Sequence, residues 1–282
     1  MKKLLMATDL SARSDRALER SVTIAREHGA QLTIVHVVDE DLSPPLADAQ
    51  ELAARKAIQE HVDGLTEGKG PNVSIKVVFG RTYIDILDLA EETETEMIVL
   101  GMHREDSFKD TFRGTTVERV SRVSKVPTLL VKERVSKPYQ QVIVAVDFSV
   151  YSRRAVEFAM KFAPGGEFRL VHAYDVPFEG FIHGQGVRKN ANKQHQTQFK
   201  KMIDEEMASF LTSVETNGTK IERVMQEGTV QEVIHRQITR QKPDLLVIGT
   251  HGRTGVAHAF LGSVAETLLR SPPCDVLTVK AW

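Results

Sequence analysis

The residues best suited to bind a ligand follow an apolar run near the end of the chain. Residues 245–248 are Leu-Leu-Val-Ile, which is typical of a buried strand, and they lead into the spacing Gly249-x2-Gly252-x9-Gly262-Ser263. Because glycine has no Cβ, its backbone N–H can approach an anion closely. A helix that begins near Ser263 would add unpaired N–H groups and the positive end of its dipole. The spacing therefore predicts a phosphate-binding loop, with an ordinary strand-to-helix turn as the alternative.

The loop differs from the two best-known phosphate-binding motifs. No Gly-Lys-Ser/Thr step closes it, so it is not a Walker A loop. It also lacks the Gly-x-Gly-x-x-Gly pattern of Rossmann dinucleotide sites. If this loop binds a phosphate, it would do so by a mode different from those of the Walker A and Rossmann loops.

The composition excludes several functional classes. The 282 residues are 41% hydrophobic and 27% charged, as in a soluble globular protein with a sizeable core, and they suffice for about two domains. The net charge of −1 gives no general attraction to nucleic acid or to an anionic membrane. Asp9 interrupts the apolar N-terminus too early for a signal peptide, and no apolar run approaches the roughly 20 residues of a transmembrane helix. The lone Cys274 cannot form an internal disulfide, so a cytoplasmic protein is expected.

Strand-like and helix-like segments alternate along the whole chain. In the first half, strands are predicted at residues 3–8, 31–37, 73–79, 97–100 and 128–132, with helices between them. These strands are apolar throughout, which indicates a parallel sheet buried on both faces and hence an α/β fold. In the second half, the polar residues 178–201 predict a loop before a long helix. Its His183 and His195 could bind a metal, but solvated loop histidines are the favoured interpretation.

The same pattern occurs twice in the chain. Asp9 matches Asp147 at an offset of 138 residues, and toward the end of each copy the offset settles at 148 residues. A repeat this regular predicts two copies of one domain, at residues 1–136 and 137–282. The boundary falls in a short polar stretch that contains Pro138.

Together these motifs resemble the universal stress protein family in its tandem form. The shared features are a strand followed by Asp-x-Ser, a second strand that ends in Val-His, and the Gly-x2-Gly-x9-Gly-Ser spacing. The resemblance covers essentially all 282 residues. It implies two five-stranded parallel-sheet domains with a Rossmann-like, adenine-nucleotide α-hydrolase-like fold. It also implies an internal pseudo-dimer that pairs residues 128–132 with residues 276–280, while a homodimer of chains stays open.

The resemblance assigns an adenine-nucleotide site, for ATP or ADP with or without Mg²⁺, to the second copy. The residues it implies are Ala145, Val146, Asp147, Ala173, Ile248, Gly249, Gly252, Gly262, Ser263 and Val264. The first four belong to the adenine end, the next three to ribose and phosphate, and the last three to the phosphates. The position of Asp147 agrees with this assignment, because Asp147 follows a predicted strand. Open parallel sheets bind ligands just beyond the carboxyl ends of their strands. Capping of the following helix is the alternative role of Asp147.

The first copy departs from this pattern. Its spacing is Gly101-x2-Arg104-x9-Gly114-Thr115, so an arginine replaces the second glycine. An arginine side chain needs room where backbone should approach the ligand, which favours a blocked or altered site. Arginine can also bind phosphate directly. Because Asp9 is retained, the sequence leaves open whether this copy binds an adenine-like ligand.

Three kinds of function are compatible with the sequence. The leading hypothesis is a regulatory stress-response protein that binds ATP or ADP and signals to an unknown protein partner. A slow ATPase or phosphotransferase is the second, but the motif offers no general base paired with a metal-binding carboxylate, and no catalytic residue is assigned. His251 is the best candidate base, yet His103 recurs beside the altered motif, which favours a structural role. A nucleotide-independent small-molecule carrier or scaffold is the third.

The contrast between the copies predicts one adenine nucleotide per chain. Changing Gly252→Arg would copy the arginine of the first motif into the second and remove close backbone contacts. We expect affinity for ATP to fall about a hundredfold or more, because contacts to charged groups contribute about 1.5–3 kcal/mol each. Titration calorimetry with ATP and magnesium measures this. A stoichiometry near two, or unchanged binding by the variant, would contradict the assignment.

Overall fold

The structure, a computed structural model, describes residues 1–102, 115–135, 137–175, 189–216, 218–250 and 262–280. In residues 189–196 it describes the backbone alone. The strands in these ranges are β1 (Lys3–Ala7), β2 (Gln31–Asp39), β3 (Val73–Gly80), β4 (Met97–Gly101), β5 (Thr128–Val131), β6 (Gln141–Ala145), β7 (Glu167–Tyr174), β8 (Ile221–Glu227), β9 (Leu245–Gly249) and β10 (Asp275–Val279). The helices are α1 (Ala12–His28), α2 (Pro44–Thr66), α3 (Thr82–Glu92), α4 (Thr116–Val123), α5 (Val150–Phe162), α6 (Lys189–Thr212), α7 (Val230–Gln241) and α8 (Ser263–Arg270).

Local sequence signals account for where several helices begin and end. The Ser11 side chain accepts a hydrogen bond from the Ser14 N–H and caps α1, which ends at Gly29 with a left-handed φ of 61°. Helix α2 begins at Pro44, within the Pro-Pro step, because proline is well tolerated in the first helical turn. Helix α6 begins at Lys189, so the loop predicted over residues 178–201 was wrong for its last part.

All ten strands of the described residues form one sheet in the order β3-β2-β1-β4-β5-β10-β9-β6-β7-β8. Within each half, every neighbouring pair is parallel. The two halves meet where β5 and β10 pair in antiparallel register, with Leu129 opposite Leu277. The predicted five-stranded parallel sheets and the pairing of the final strands are confirmed.

Helices cover both faces of this sheet. Alternate residues of one strand enter different cores: Leu4 and Met6 belong to the core on the side of α1, α2, α5 and α6, whereas Leu5 belongs to the core on the side of α3, α4, α7 and α8. The central strands are therefore apolar at nearly every position, as the sequence showed. This is a doubly wound α/β arrangement, which places ligand sites at the carboxyl ends of the strands.

A buried polar cluster centred on Asp275 joins the halves beside the β5–β10 pair. The Asp275 side chain is fully buried and accepts hydrogen bonds from the backbone N–H groups of Lys132 and Glu133, both at 2.9 Å, and from the Tyr139 hydroxyl at 2.6 Å. The Arg20 guanidinium packs over the Tyr139 ring, 4.2 Å from its centre, and the Arg20 Nε lies 3.5 Å from Asp275. Burial raises the pKa of the Asp275 carboxyl, and its hydrogen-bond donors and Arg20 oppose that shift.

We expect Asp275→Asn to destabilise the fold by about 3–5 kcal/mol, because it leaves the buried Arg20 charge without its partner. The matched control is Asp244→Asn. Asp244 accepts from the backbone N–H groups of Gln140 and Gln141 at the start of β6 but is only half-buried, so this change should lower the free energy of unfolding by on the order of 1 kcal/mol. Denaturant unfolding measures both values. Equal effects would mean that the buried charge pair does not hold the halves together.

Candidate functional site

A cavity of about 330 Å³ opens at the carboxyl ends of the second-half strands. It lies where β6 pairs with β7 on one side and with β9 on the other. The strand order reverses at this point, which is where open α/β sheets bind their ligands. The fold and the predicted motif therefore indicate the same place.

The structure brings the sequence-predicted site residues together around this cavity. Its walls include Ala145, Val146, Asp147, Ala173, Ile248, Gly249, Gly262, Ser263 and Val264. Gly252 lies outside the described residues, as do Arg104, Gly114, His103, His183 and His251, and so does the side chain of His195. Sequence reasoning missed Ser152, His172, Val230, Ile234 and Thr250 on the same walls. Of these, only His172 carried a signal, as the last residue of the repeated Val-His pair.

Asp147 organises the turn that leads from β6 into α5. Its Oδ1 accepts from the Ser149 backbone N–H at 3.1 Å and from the Ser149 hydroxyl at 2.6 Å. The Ser149 oxygen in turn accepts from the Ser152 N–H at 3.2 Å and caps α5. Asp147 thus supports the helix cap through Ser149 while its residue lines the cavity, so the two roles considered for it are compatible.

The residue after each motif aspartate adopts a left-handed backbone conformation. Phe148 has φ 64° and Leu10, its counterpart, has φ 62°. Such conformations cost non-glycine residues on the order of 1–3 kcal/mol and persist where the surroundings impose them. Because the same cost recurs in both copies, this turn is a fixed part of the domain that places the aspartate in the cavity wall.

Each Val-His histidine ties two neighbouring strands together. The Nδ1 of His172 lies 2.8 Å from the Val146 carbonyl, and the Nδ1 of His36 lies 2.9 Å from the Thr8 carbonyl. A carbonyl oxygen only accepts, so Nδ1 carries the proton in both rings. The ring of Phe148 stacks on His172 with centres 4.1 Å apart. These contacts fix the cavity floor where the first two strands of each domain end.

At the opposite wall, the start of α8 offers backbone donors. The N-cap residue is Gly262, and no side chain among the described residues caps this helix. The Gly262 N–H donates to the Thr250 carbonyl at 3.1 Å, so this donor is already paired within the protein. Among the described residues, the first-turn N–H groups of Ser263 and Val264 have no hydrogen-bond partner, and an anion could bind there with the help of the helix dipole.

None of the described neighbours requires glycine at position 262. Its φ is −60°, and an added Cβ would come no closer than 3.6 Å to the Thr250 carbonyl oxygen. Gly101, at the end of β4, is different, because a Cβ there would lie 3.0 Å from the Ser14 Cα and 3.1 Å from the Arg13 oxygen. Gly101 therefore serves the packing of α1 on β4, whereas Gly262 keeps space at the cavity.

The first half has an equivalent cavity of about 230 Å³, smaller than that of the second half. Bulkier side chains account for part of the difference. Val37 stands where the second half has Ala173, and Val117 stands where it has Ala265. Both valines narrow the first-half cavity.

The helix start also differs between the halves. The Thr115 hydroxyl accepts from the Glu118 N–H at 3.2 Å, and the Glu118 carboxylate accepts from the Thr115 N–H at 2.9 Å. This capping box consumes donors at the start of α4 and places a buried carboxylate there. In the second half the corresponding Glu266 instead accepts from Arg270 at 2.8 Å. Of these two equivalent helices, only α8 lacks a side-chain cap among the described residues.

Other chemistry receives no support from the described residues. They contain no group of three or more His, Cys, Asp or Glu side chains that could hold a metal ion. Burial raises the pKa of the Cys274 thiol to about 12, so this cysteine stays protonated and unreactive. None of the helices in the described part of the chain is long and apolar enough to cross a membrane.

Comparison with known proteins agrees with this architecture. A model of the universal stress protein family matches residues 1–132 and again residues 138–280. Universal stress protein E of Photorhabdus laumondii is 22% identical over 98% of this chain and 94% of its own. A universal stress protein of Methanocaldococcus jannaschii is 32% identical over 50% of this chain and 82% of its own. The crystal structure of a universal stress protein from Archaeoglobus fulgidus aligns with a TM-score of 0.70 and 22% identity over 99% of this chain and 96% of that one.

Two doubly wound domains joined through their last strands, with cavities at the carboxyl ends, define a tandem Rossmann-like α/β protein. With two matches to one family model, the chain belongs to the universal stress protein family, in its tandem form. Membership carries a role in the stress response.

The different helix starts predict different costs for two matched substitutions. Thr115→Ala removes a cap and should lower the free energy of unfolding by about 0.5–2 kcal/mol. Ser263→Ala at the equivalent position should change it by less than about 0.5 kcal/mol, since its hydroxyl makes no hydrogen bond within the described residues. Thermal unfolding of both variants checks this. A larger loss for Ser263→Ala would show that α8 is capped after all.

Proposed function

We propose that the chain is a regulatory stress-response protein that binds one ATP or ADP in its second half. The observation that carries the proposal is the uncapped start of α8 at a 330 Å³ cavity, set against the self-capped start of α4 at the smaller one. Anions bind at helix starts whose N–H groups are unpaired. The second half meets this condition better than the first.

The cavity walls suggest how a nucleotide would be oriented. Ala145, Val146 and Ala173 offer a small apolar surface for the adenine, and the Asp147 carboxylate can accept from its amino group. Ile248 and Gly249 would border the ribose, and Ser263 and Val264 would donate to the phosphates. Whether Mg²⁺ accompanies the phosphates stays open, because Mg²⁺ is commonly held largely by phosphate oxygens and water.

Binding rather than rapid turnover is the proposed activity. The ionisable side chains among the described cavity walls are Asp147 and His172. Asp147 accepts from Ser149, and the His172 Nδ1 donates to a carbonyl, so both have structural duties at the adenine end. A fast phosphoryl transfer needs a positioned base and charge stabilisation at the phosphates. A slow ATPase is the alternative, and a nucleotide-independent carrier is the third possibility.

The nucleotide would act as a signal to a protein partner, and we propose the cytoplasm as the place where this happens. The surface around the cavity mouth would differ between the ATP and ADP forms, and a partner can respond only to such a difference. Assembly of two chains into a homodimer is left open by the internal pairing of β5 with β10.

The direct test identifies the bound molecule. Purified protein is denatured, the released small molecules are separated by chromatography, and the apo protein is titrated with ATP and with ADP. We expect adenine nucleotide in the released fraction and a stoichiometry of one. Phosphate release at about 1–100 per second, as in kinases, would instead make the protein an enzyme. A clean apo protein that neither nucleotide stabilises would favour the carrier.

Ala173→Val should weaken ATP binding, because it installs the first half's side chain where the adenine would lie. Overpacking costs about 1–3 kcal/mol, which corresponds to a roughly 5- to 150-fold loss of affinity. The matched control is Val37→Ala in the first half, which should leave ATP affinity unchanged. Calorimetry measures both. A reversed pattern would assign the nucleotide to the first half.

A further inference from the structure

The repeat gives the junction between the halves two equivalent sides, and only one of them carries the Asp275 cluster. On the other side, which we call the open side, three members of that cluster have apolar counterparts: Pro127 for Asp275, Phe158 for Arg20 and Met1 for Tyr139. The side chains of these counterparts carry no charge and no N–H or O–H group. The open side therefore cannot be closed by the ion pair and hydrogen bonds that close the cluster side.

A cavity of about 450 Å³ lies on the open side of the junction. Its described walls come from both halves, because they include the residues that lead into β4 and β5, helix α5 and the end of β10. The volume falls within the roughly 300–1,000 Å³ of small-molecule sites, which often lie at domain interfaces. None of the described wall residues also lines the second-half nucleotide cavity. The two cavities are therefore separate candidate sites.

Cations outnumber carboxylates on the described walls of this junction cavity. The charged wall residues are the cations Arg154, Lys161 and Lys280 and the carboxylates Glu96 and Glu157. Both carboxylates already have a cation 3.9 Å away, which is the Arg153 guanidinium for Glu157 and the N-terminal ammonium of Met1 for Glu96. The charge of the walls therefore favours an anionic ligand.

Lys280 is the wall cation that most clearly lacks an anionic partner. Its side chain is partly buried and its ammonium donates to the Arg122 carbonyl at 3.1 Å, but it forms no ion pair with any described residue. Burial lowers the pKa of this ammonium, because the charged form loses water without gaining a carboxylate. On the cluster side, its counterpart Lys132 lies 3.8 Å from the Glu133 carboxylate. A carboxylate in the cavity would supply Lys280 with such a partner.

The remaining wall suits an aromatic ring. The Phe158 side chain is partly buried there, and Val126, Pro127 and Val279 add apolar surface. Aromatic rings gain stability from stacked or edge-to-face contacts with one another. On the cluster side a ring and a carboxylate meet in the same way, since the Tyr139 hydroxyl donates to Asp275 at 2.6 Å. A ligand that carries both groups would match the open side.

We infer that the open side of the junction binds a small aromatic carboxylate. The Lys280 ammonium pairs with the carboxylate, the charges of Arg154 and Lys161 attract it, and the ring packs on Phe158. The ligand thereby brings a carboxylate to the side of the junction where Pro127 stands in place of Asp275. This inference goes beyond the nucleotide site proposed for the second half and rests on none of its residues.

The test is calorimetric titration of the full-length protein with benzoate and with benzamide, its neutral analogue of similar shape. We expect one benzoate per chain, and at least tenfold weaker binding of benzamide, because charge-assisted hydrogen bonds are the stronger ones. Lys280→Met should weaken benzoate at least tenfold and leave benzamide unchanged. Lys132→Met on the cluster side is the matched control and should change neither. Glu157→Gln should strengthen benzoate binding, because it removes a like charge from the wall.

Thermal unfolding of each variant verifies that it is folded. If Lys280→Met does not fold, the comparison of benzoate with benzamide and the Glu157→Gln variant still test the inference. Failure of benzoate to bind, equal affinities for benzoate and benzamide, or equal losses in Lys280→Met and Lys132→Met would overturn it. Ala281 and Trp282 lie outside the described residues. Benzoate binding seen only in a variant that ends at Lys280 would assign the cavity to those two residues and would overturn the inference as well.

The outcomes separate this inference from the proposed function. Saturation with ATP should leave benzoate affinity unchanged, because the two cavities share no described wall residue. Competition between ATP and benzoate would place benzoate in the nucleotide site and contradict the inference. If ATP does not bind at all while benzoate binding depends on Lys280, the inference stands and only the second-half proposal fails.

Discussion

The architecture depends on one constraint: the last strand of each domain cannot remain an unpaired edge of its sheet. Strands β5 and β10 are buried along their whole length, and an exposed apolar edge strand would pair with another chain. Antiparallel pairing of the two strands within one chain satisfies both edges. The Asp275 cluster then adds polar contacts that only this pairing can make, because Pro127 and Phe158 occupy the positions that correspond to Asp275 and Arg20. The two domains share one fold, but the polar contacts at their junction are not repeated in both domains.

The cavities of the two domains share several residues and differ in where one helix begins. Both keep the aspartate, the left-handed residue after it and the histidine that binds the neighbouring strand. The helix starts differ by one residue: Thr115 precedes α4 as its cap, whereas the equivalent Ser263 is the first residue of α8. With that single step, side chains of the protein satisfy the first N–H groups of α4, whereas no described side chain satisfies those of α8.

Much of this could be predicted from the sequence, because periodicity and repetition report burial directly. The fold and the order of elements followed from strand runs and a constant offset, whereas the set of site residues followed from the resemblance to the family. The asymmetry of the helix starts could not, since Thr115-x-x-Glu118 and Ser263-x-x-Glu266 both carry the capping-box signature. Both glutamates accept from Arg270, yet only Glu118 also accepts from the N–H of its cap residue, and Arg270 is 152 positions away from Glu118. Likewise, no local pattern reveals that the Gly262 N–H is used by Thr250.

The junction also limits how a ligand could act. Separating the halves would break the β5–β10 pair and expose Arg20 and Asp275, both nearly fully buried, at a cost of several kcal/mol. A ligand shifts an equilibrium only by its difference in affinity for the two states. A modest preference cannot supply that cost, so signalling by movement of one domain away from the other is disfavoured. Changes at the carboxyl ends of the strands cost far less, and a partner that responds to bound nucleotide would therefore contact the protein there.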